Sequence, residues 1–341
     1  MPFRRRPARP NDLCKCVNVL AAHPILGPRY AGILADLQKV MLSLLEREAF
    51  NCTVFEEIGP PVRILGGAVS SFVQDSFLRQ LKTPPSFWGT PELVLRELSD
   101  RSAILSDQEV RYANSNDGLS MYVWHTGMLE EDLERMEVAT LVLSTFIENF
   151  RGYNLKEFLG QAESWRQFGA MRQAGGCFVR PSDGQYAEYH EAIKPADVAK
   201  TPLLVGTTRE MARGRTIGSM IALLFNYTPP RLGLRRSHQR LVLAALAGQT
   251  DEELSKELGV SLAAVKKAWR EISNLMAPYL PLVGDAHGDG HRHSRGKQKR
   301  HHLLAYFREH PEELRPIERQ RANTNGHARA TPTDALHSLA H

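Results

Sequence analysis

The run Gly248-Gln249-Thr250-Asp251-Glu252-Glu253-Leu254, with Leu258-Gly259-Val260-Ser261 following it, decides the fold of the chain's last third. Thr250 and Glu253 have the spacing of a capping box. The threonine hydroxyl can accept from the Glu253 amide while the Glu253 carboxylate returns a bond to the Thr250 amide, so a helix starts at Asp251. That helix is short, Asp251–Leu258, and buries Leu254 and Leu258. Gly259 supplies the positive φ of a sharp turn, Val260 can fill the gap beneath it, and Ser261 can cap the next helix. Upstream, Ser237–Ala247 has Leu241, Ala244, Ala245 and Leu246 at helical spacing and is closed by Gly248. Downstream, Leu262–Met276 places Val265, Trp269, Ile272 and Met276 on one stripe. Three short helices with a tight turn between the last two are a helix-turn-helix.

The opposite face of Leu262–Met276 carries Ala263, Lys266, Lys267, Arg270 and Asn274, three of them cations. A helix of this kind fits the major groove of duplex DNA, where base edges offer a distinguishable pattern of donors and acceptors. Lys266, Lys267 and Arg270 are therefore the foremost candidate DNA contacts, with Ser261, Ala263 and Asn274 on the same helix. Arg235, Arg236 and Arg240, early in the first helix, are candidates for phosphate contact. A helix-turn-helix can also serve a protein or RNA partner, which leaves that alternative open.

The pieces Leu241-Val242-Leu243, Gly248–Leu254, Leu258-Gly259-Val260-Ser261 and Ala264-Val265-Lys266 together resemble the LuxR-type DNA-binding domain of bacterial transcription regulators. The resemblance covers Leu234–Met276. It implies an all-α domain of four helices, of which the third reads double-stranded DNA, usually as a homodimer. Departures are Ser237-His238-Gln239-Arg240 early in the first helix, Ala264 where Thr is common and Ala268 where His is common. They bear on base preference and phosphate contacts.

The 341 residues carry 43 Lys+Arg against 38 Asp+Glu, a net +5. That charge is divided unevenly. Residues 1–10 hold four Arg and no acid, residues 11–230 are mildly acidic, and 231–275 and 285–341 are basic. A polyanion would thus meet the C-terminal third. No run approaches the ~18 apolar residues of a membrane span. Four cysteines, Cys14, Cys16, Cys52 and Cys177, are too few and scattered for a disulfide framework, and the start lacks the pattern of a secretory signal, so a cytoplasmic protein is expected.

Ahead of the helical domain, residues 29–205 read as a mixed α/β domain of unknown input. Helical patterns fall at Arg29–Phe50, Ser71–Leu81, Pro91–Leu98, Glu130–Phe150 and Gln161–Ala174, and strands at Cys52–Ile58, Val62–Ser70, Leu119–His125 and near Tyr153–Phe158. Residues 1–28 read as a flexible basic start, 206–230 as a connecting helix (Thr207–Phe225) and linker broken by Pro229-Pro230, 231–280 as the helix-turn-helix domain, and 281–341 as a largely disordered basic tail with a short helix near 300–309.

A phosphoacceptor receiver is excluded because its acidic residues are missing; Lys194-Pro195 alone reads as a turn. The order of elements, with Arg63-Ile64-Leu65-Gly66-Gly67, Phe168-Gly169 and Gly175-Gly176-Cys177-Phe178, resembles an acetyltransferase-like α/β fold, in which backbone amides at a Gly-rich turn bind pyrophosphate. That resemblance implies the alternative function, an acyl-CoA-binding or acyltransferase-like enzyme with an appended DNA-binding domain. The spaced-glycine signature of such a site is missing, and no catalytic residue, metal or cofactor is assigned. His125 reads as a hydrogen-bonded residue at a strand end, Cys14 and Cys16 as inert thiols, His287, His291, His293, His301 and His302 as adventitious metal binders, and Trp88, Trp124 and Trp165 as core or pocket wall. The main reading is a non-enzymatic, sequence-specific DNA-binding transcription regulator. Its N-terminal module would sense a ligand or mediate dimerisation.

Overall fold

The computed structural model describes residues 3–85, 87–162, 177–179, 184–187, 203–215, 219–279 and 294–316. The first half is a mixed α/β domain. Its strands are β1 (Phe3–Pro7), β2 (Phe50–Glu57), β3 (Arg63–Val73), β4 (Leu119–Met128), β5 (Leu155–Ala162), β6 (Cys177–Val179), β7 (Tyr186–Ala187) and β8 (Leu203–Thr208). They form one 8-stranded sheet in the order β1-β2-β3-β4-β5-β8-β6-β7. The neighbouring strands are antiparallel except β4 with β5, which run parallel and need a crossover connection.

The helices of this half are α1 (Pro10–Ala22), α2 (Leu26–Tyr30), α3 (Leu34–Leu44), α4 (Asp75–Lys82), α5 (Gly89–Leu98), α6 (Asp107–Ser115), α7 (Glu130–Leu133), α8 (Met136–Phe150), α9 (Arg209–Arg213) and α10 (Met220–Phe225). Successive strand residues face opposite ways. Val69 of β3 joins Leu13, Leu20 and Met41 from α1 and α3, whereas Ala68 packs with Phe55, Met128 and Val138. Trp124 is buried at the centre, edge-on to Phe50, with its Nε1 donating to the Ser71 hydroxyl at 2.7 Å.

The helical half consists of α11 (Arg236–Leu246), α12 (Asp251–Leu258), α13 (Leu262–Met276), α14 (Ser294–Glu309) and a 3-10 turn, Pro311–Leu314. Its core joins Leu241, Val242, Leu254, Val265, Ile272 and Met276 to Leu303, Phe307 and Leu314.

Several expectations change. Within the start expected to be flexible, residues 1–28, the described residues from Phe3 on are built into the domain: β1 is an edge strand and α1 covers the sheet. The arginines are held there by carboxylates, Arg4 and Arg6 by Glu56, Arg6 also by Asp12 at 2.5 Å, and Arg5 by Glu148. The Arg6 guanidinium lowers the Asp12 pKa, and in Glu56 the arginine bonds outweigh the upward push of burial. The helix expected over Arg29–Phe50 is broken between Tyr30 and Leu34, and Phe50 already belongs to β2. The helix expected from Ser71 starts only at Asp75, because Ser71–Val73 stay paired with β4. Glu130–Phe150 is divided into α7 and α8, and the strand near Tyr153–Phe158 runs on to Ala162.

Much of the expected connection 206–230 belongs to the first domain. Leu203–Thr208 is a strand beside β5, and Ile221, Leu224 and Phe225 of α10 are buried in the α/β core. The sheet, where backbone bonds outweigh local helix propensity, claims Thr207 and Thr208. Likewise 281–341 is not only a tail, since α14 closes the helical core. Residues 163–174, with Trp165 and Phe168-Gly169 among them, and Gly175-Gly176, Lys194-Pro195, His287, His291 and His293 lie outside the described residues. Among the described residues, no helix is long and apolar enough to cross a membrane.

Candidate functional site

The turn between α12 and α13 is built as its residues dictate. Thr250 and Glu253 exchange both capping bonds: the Thr250 amide donates to the Glu253 carboxylate at 2.8 Å and the Glu253 amide to the Thr250 hydroxyl at 3.3 Å. The bonds from Thr250 hold the Glu253 carboxyl below its usual pKa. Gly259 ends α12 in the left-handed conformation, φ 64° and ψ 34°, and donates its amide to Lys256. The Ser255 hydroxyl reaches over the turn to the Val260 carbonyl at 2.6 Å. Ser261 then caps α13, its hydroxyl accepting from the Ala264 amide at 3.2 Å.

Val265, Ile272 and Met276 of α13 are buried against α11 and α12. Ser261, Ala263, Lys266, Lys267, Arg270 and Asn274 are all exposed. The helical repeat puts residues 263, 266, 267, 270 and 274 on one side. Lys267 has a distant carboxylate neighbour, Glu271 at 3.9 Å. Among the described residues no carboxylate pairs with Lys266 or Arg270, and the Arg270 Nε donates to the Lys266 carbonyl, at 3.4 Å. This contrasts with the arginines of β1.

Arg235 and Arg236 are exposed at the start of α11, and Arg240 is half-buried. On the same helix, buried His238 meets Glu271 of α13 at 3.0 Å, so the start of α11 lies beside the second half of α13. Two side chains lock the motif to α14: Trp269, expected on the inward stripe but without a polar partner, and Arg300, which sequence reasoning missed. The Trp269 Nε1 donates to Asp251 at 3.2 Å, and Arg300 pairs with Asp251 at 2.5 Å while lying 4.7 Å from the Trp269 ring centre. Nothing in the sequence ties Arg300 to Trp269.

In the α/β domain, β4 and β5 pair from Leu119 and Leu155 as far as Val123 and Gly160 and then part. Where they part, β4 bulges at Trp124 against β3. The chain itself spans this gap. The Gly89 amide donates to Gln161 Oε1 at 2.8 Å, Tyr122 Oη donates to the same oxygen at 2.9 Å, Gln161 Nε2 donates to the Phe87 carbonyl at 2.7 Å, and the Thr90 hydroxyl donates to the Trp124 carbonyl at 2.9 Å. The fit leaves Gly89 no room for a side chain: a Cβ there would lie 2.5 Å from the Tyr122 oxygen.

After β4, the stretch Leu129–Arg135 has no glycine and holds Glu130, Glu131, Asp132 and Glu134. Asp132 and Glu57 share the guanidinium groups of Arg63 and Arg135. Acids at the entry to a helix repel a diphosphate instead of holding it. Gly66, read as part of an acyl-CoA turn, instead lets strands meet: its φ is 150°, and a Cβ on it would lie 2.0 Å from the Gly127 carbonyl oxygen.

His125 is not a strand-end residue with ordinary hydrogen bonds. It is buried, its Nδ1 has no hydrogen-bond partner among the described residues, and burial with nearby His23 drives its pKa down from 6.5 to about 3. It borders a cavity of about 10 Å³ with Cys16, which burial keeps as a thiol with pKa about 12. Cys14 is exposed, and none of the four cysteines is in a disulfide. Among the described residues no group of three or more His, Cys, Asp or Glu could hold a metal. Trp88 is half-buried under the Arg29 guanidinium, 3.4 Å from its ring centre. A larger cleft, about 710 Å³, opens at the other end of β4, where Ser120 donates to Asp75 and Lys156 pairs with the same carboxylate.

No protein-family model matches the chain, and no curated protein matches it. Among solved structures it is similar to a crystal structure of histone acetyltransferase HPA2 and related acetyltransferase from Corynebacterium glutamicum ATCC 13032, with 16% identity, a TM-score of 0.33, and coverage of 60% of this chain and 95% of that one. A likeness at that level identifies neither activity nor ligand.

Proposed function

We propose that the chain is a DNA-binding transcription regulator of LuxR type, in which α13 enters the major groove of double-stranded DNA. The observation that carries this reading is the Ser261-capped helix with Lys266, Lys267 and Arg270 on its exposed side, of which Lys266 and Arg270 meet no carboxylate among the described residues. A cation that no internal carboxylate neutralises can displace counterions from a phosphate or meet a guanine edge. Ser261, Ala263 and Asn274 lie along the same helix to contact base or backbone, and Arg235, Arg236 and Arg240 serve phosphates. The protein acts as a homodimer, because paired recognition helices about 34 Å apart meet successive major grooves. Its place is the cytoplasm, which suits four unbridged cysteines. The α/β domain is the regulatory half and not an enzyme.

The rival reading, an acyl-CoA-binding or acyltransferase-like domain, draws support from the parallel β4–β5 pair that parts at its end. Against it stand Gly89 and Thr90 bonded across that parting, and the acidic, glycine-free stretch after β4.

Selection from a random duplex library with the full chain tests the main reading; enrichment of a two-fold symmetric site is the expected result. Calorimetric titration with acetyl-CoA tests the rival. Saturable binding without any enriched duplex would replace the first reading with the second.

A further inference from the structure

Residues Glu309–Arg315 touch both halves of the molecule. Toward the helical domain, the buried Glu313 carboxylate accepts from the amides of Arg231 and Leu232, both at 2.9 Å, and the Gln239 side chain donates to the Glu313 carbonyl at 3.3 Å. Leu314 sits in the helical core. Toward the α/β domain, Arg315 donates to the Glu148 carbonyl at 3.2 Å with its guanidinium 5.1 Å from the Tyr153 ring centre, and Arg151 donates to the Glu309 carbonyl at 3.0 Å.

Between these contacts lies Gly152, with φ of 89°. A Cβ there would stand 2.6 Å from the Glu312 nitrogen and 2.7 Å from the Pro311 carbonyl carbon. The turn joining α8 to β5 is thus shaped to take the backbone of Pro311-Glu312 and would not accept it with any larger residue.

We propose that the Arg151-Gly152-Tyr153 turn is a docking site for the chain's own Pro311–Arg315 segment, a clasp that fixes the helical domain on the α/β domain. The two sides of the clasp differ in kind. Toward the helical domain it has a buried carboxylate with two amide donors and a core leucine. Toward the α/β domain it has arginine-to-carbonyl bonds and a ring contact. Opening therefore occurs on the α/β side, as a local event short of unfolding, and carries the segment away with the helical domain. A change at α8 or β5 then reaches the helical domain through this turn. The inference is independent of what α13 binds.

Full-length protein and its Arg315→Ala and Gly152→Ala variants are compared by amide exchange and small-angle X-ray scattering. In both variants the amides of Glu309, His310 and Glu312–Leu314 are expected to exchange about tenfold faster, with a larger radius of gyration, while the core amides of Leu241 and Val265 keep their protection. Unchanged exchange and scattering in both variants would overturn the clasp. Should Arg315→Ala also unprotect Leu241 and Val265, Gly152→Ala decides, since it leaves every side chain of the helical domain in place. Duplex binding is measured separately on the same three proteins. Its absence in all of them removes the DNA reading and leaves the clasp standing.

Discussion

The Thr90 hydroxyl donates to the Trp124 carbonyl oxygen at 2.9 Å, tying the first turn of α5 to the bulge of β4 where that strand leaves β5. Thr90 is fully buried. A helix inserted between β3 and β4 in sequence thus bonds to the sheet where β4 and β5 part.

Thr90→Ala removes the donor and leaves a buried carbonyl unpaired, at a cost of about 1–3 kcal/mol. Gly89→Ala drives a methyl into Tyr122 and costs about 1–3 kcal/mol by overpacking. Urea unfolding followed by tryptophan fluorescence measures both. Wild-type stability in the two variants would mean that α5 does not hold the parting closed.

On the exposed side of α13, Lys266→Ala, Lys267→Ala and Arg270→Ala divide by what each touches. Loss of a phosphate contact lowers the slope of log affinity against log salt by about one unit, whereas loss of a base contact costs about 1–3 kcal/mol and relaxes preference at one position. Lys267, with Glu271 nearby, is expected to matter least of the three. Three unchanged affinities would take α13 out of the groove.

Gly259 has open space around a would-be Cβ but a φ of 64°. Gly259→Ala therefore pays only backbone strain, about 1–2 kcal/mol, and Gly259→Asn less. Thermal unfolding of the helical domain should rank glycine above asparagine above alanine. A neutral alanine would show that the turn relaxes into another conformation.

Acid should weaken the α/β domain through His125. Its folded pKa, about 3, lies below the ordinary 6.5, so the unfolded chain takes up a proton that the folded chain refuses. The stability is complete above pH 6.5 and is lost progressively as pH falls toward 3. His125→Gln is expected to flatten the fall between about pH 6.5 and 5, before the carboxylates titrate; an unaltered pH profile would remove His125 as its cause.

The three helices over 236–276 could be read residue by residue because every signal there is local. A capping box, a left-handed glycine and a serine cap each act within four positions of the residue that shows them. What sequence reading missed depends on distant partners. The β1 arginines look like a solvated basic start until Glu56 and Asp12 are seen beside them. Thr207 and Thr208 look helical until β5 pairs with them. Gln161 falls in a helical pattern, yet its amide group joins Phe87, Gly89 and Tyr122 from separate segments. Arg300, Glu313 and Arg315 carry no local mark at all, since their partners lie 49 to 167 residues away.

Synthesis runs in one direction, and Glu309 emerges 158 residues after Arg151. The sheet, whose last described strand ends at Thr208, can form while the helical domain is still being translated. Leu303, Phe307 and Leu314 reach that domain last. A nascent chain that has passed Met276 holds the exposed cations of α13 on a half-closed core with no fixed bearing on the rest of the protein, and a message truncated at that point would yield a folded first half carrying an unmoored second one.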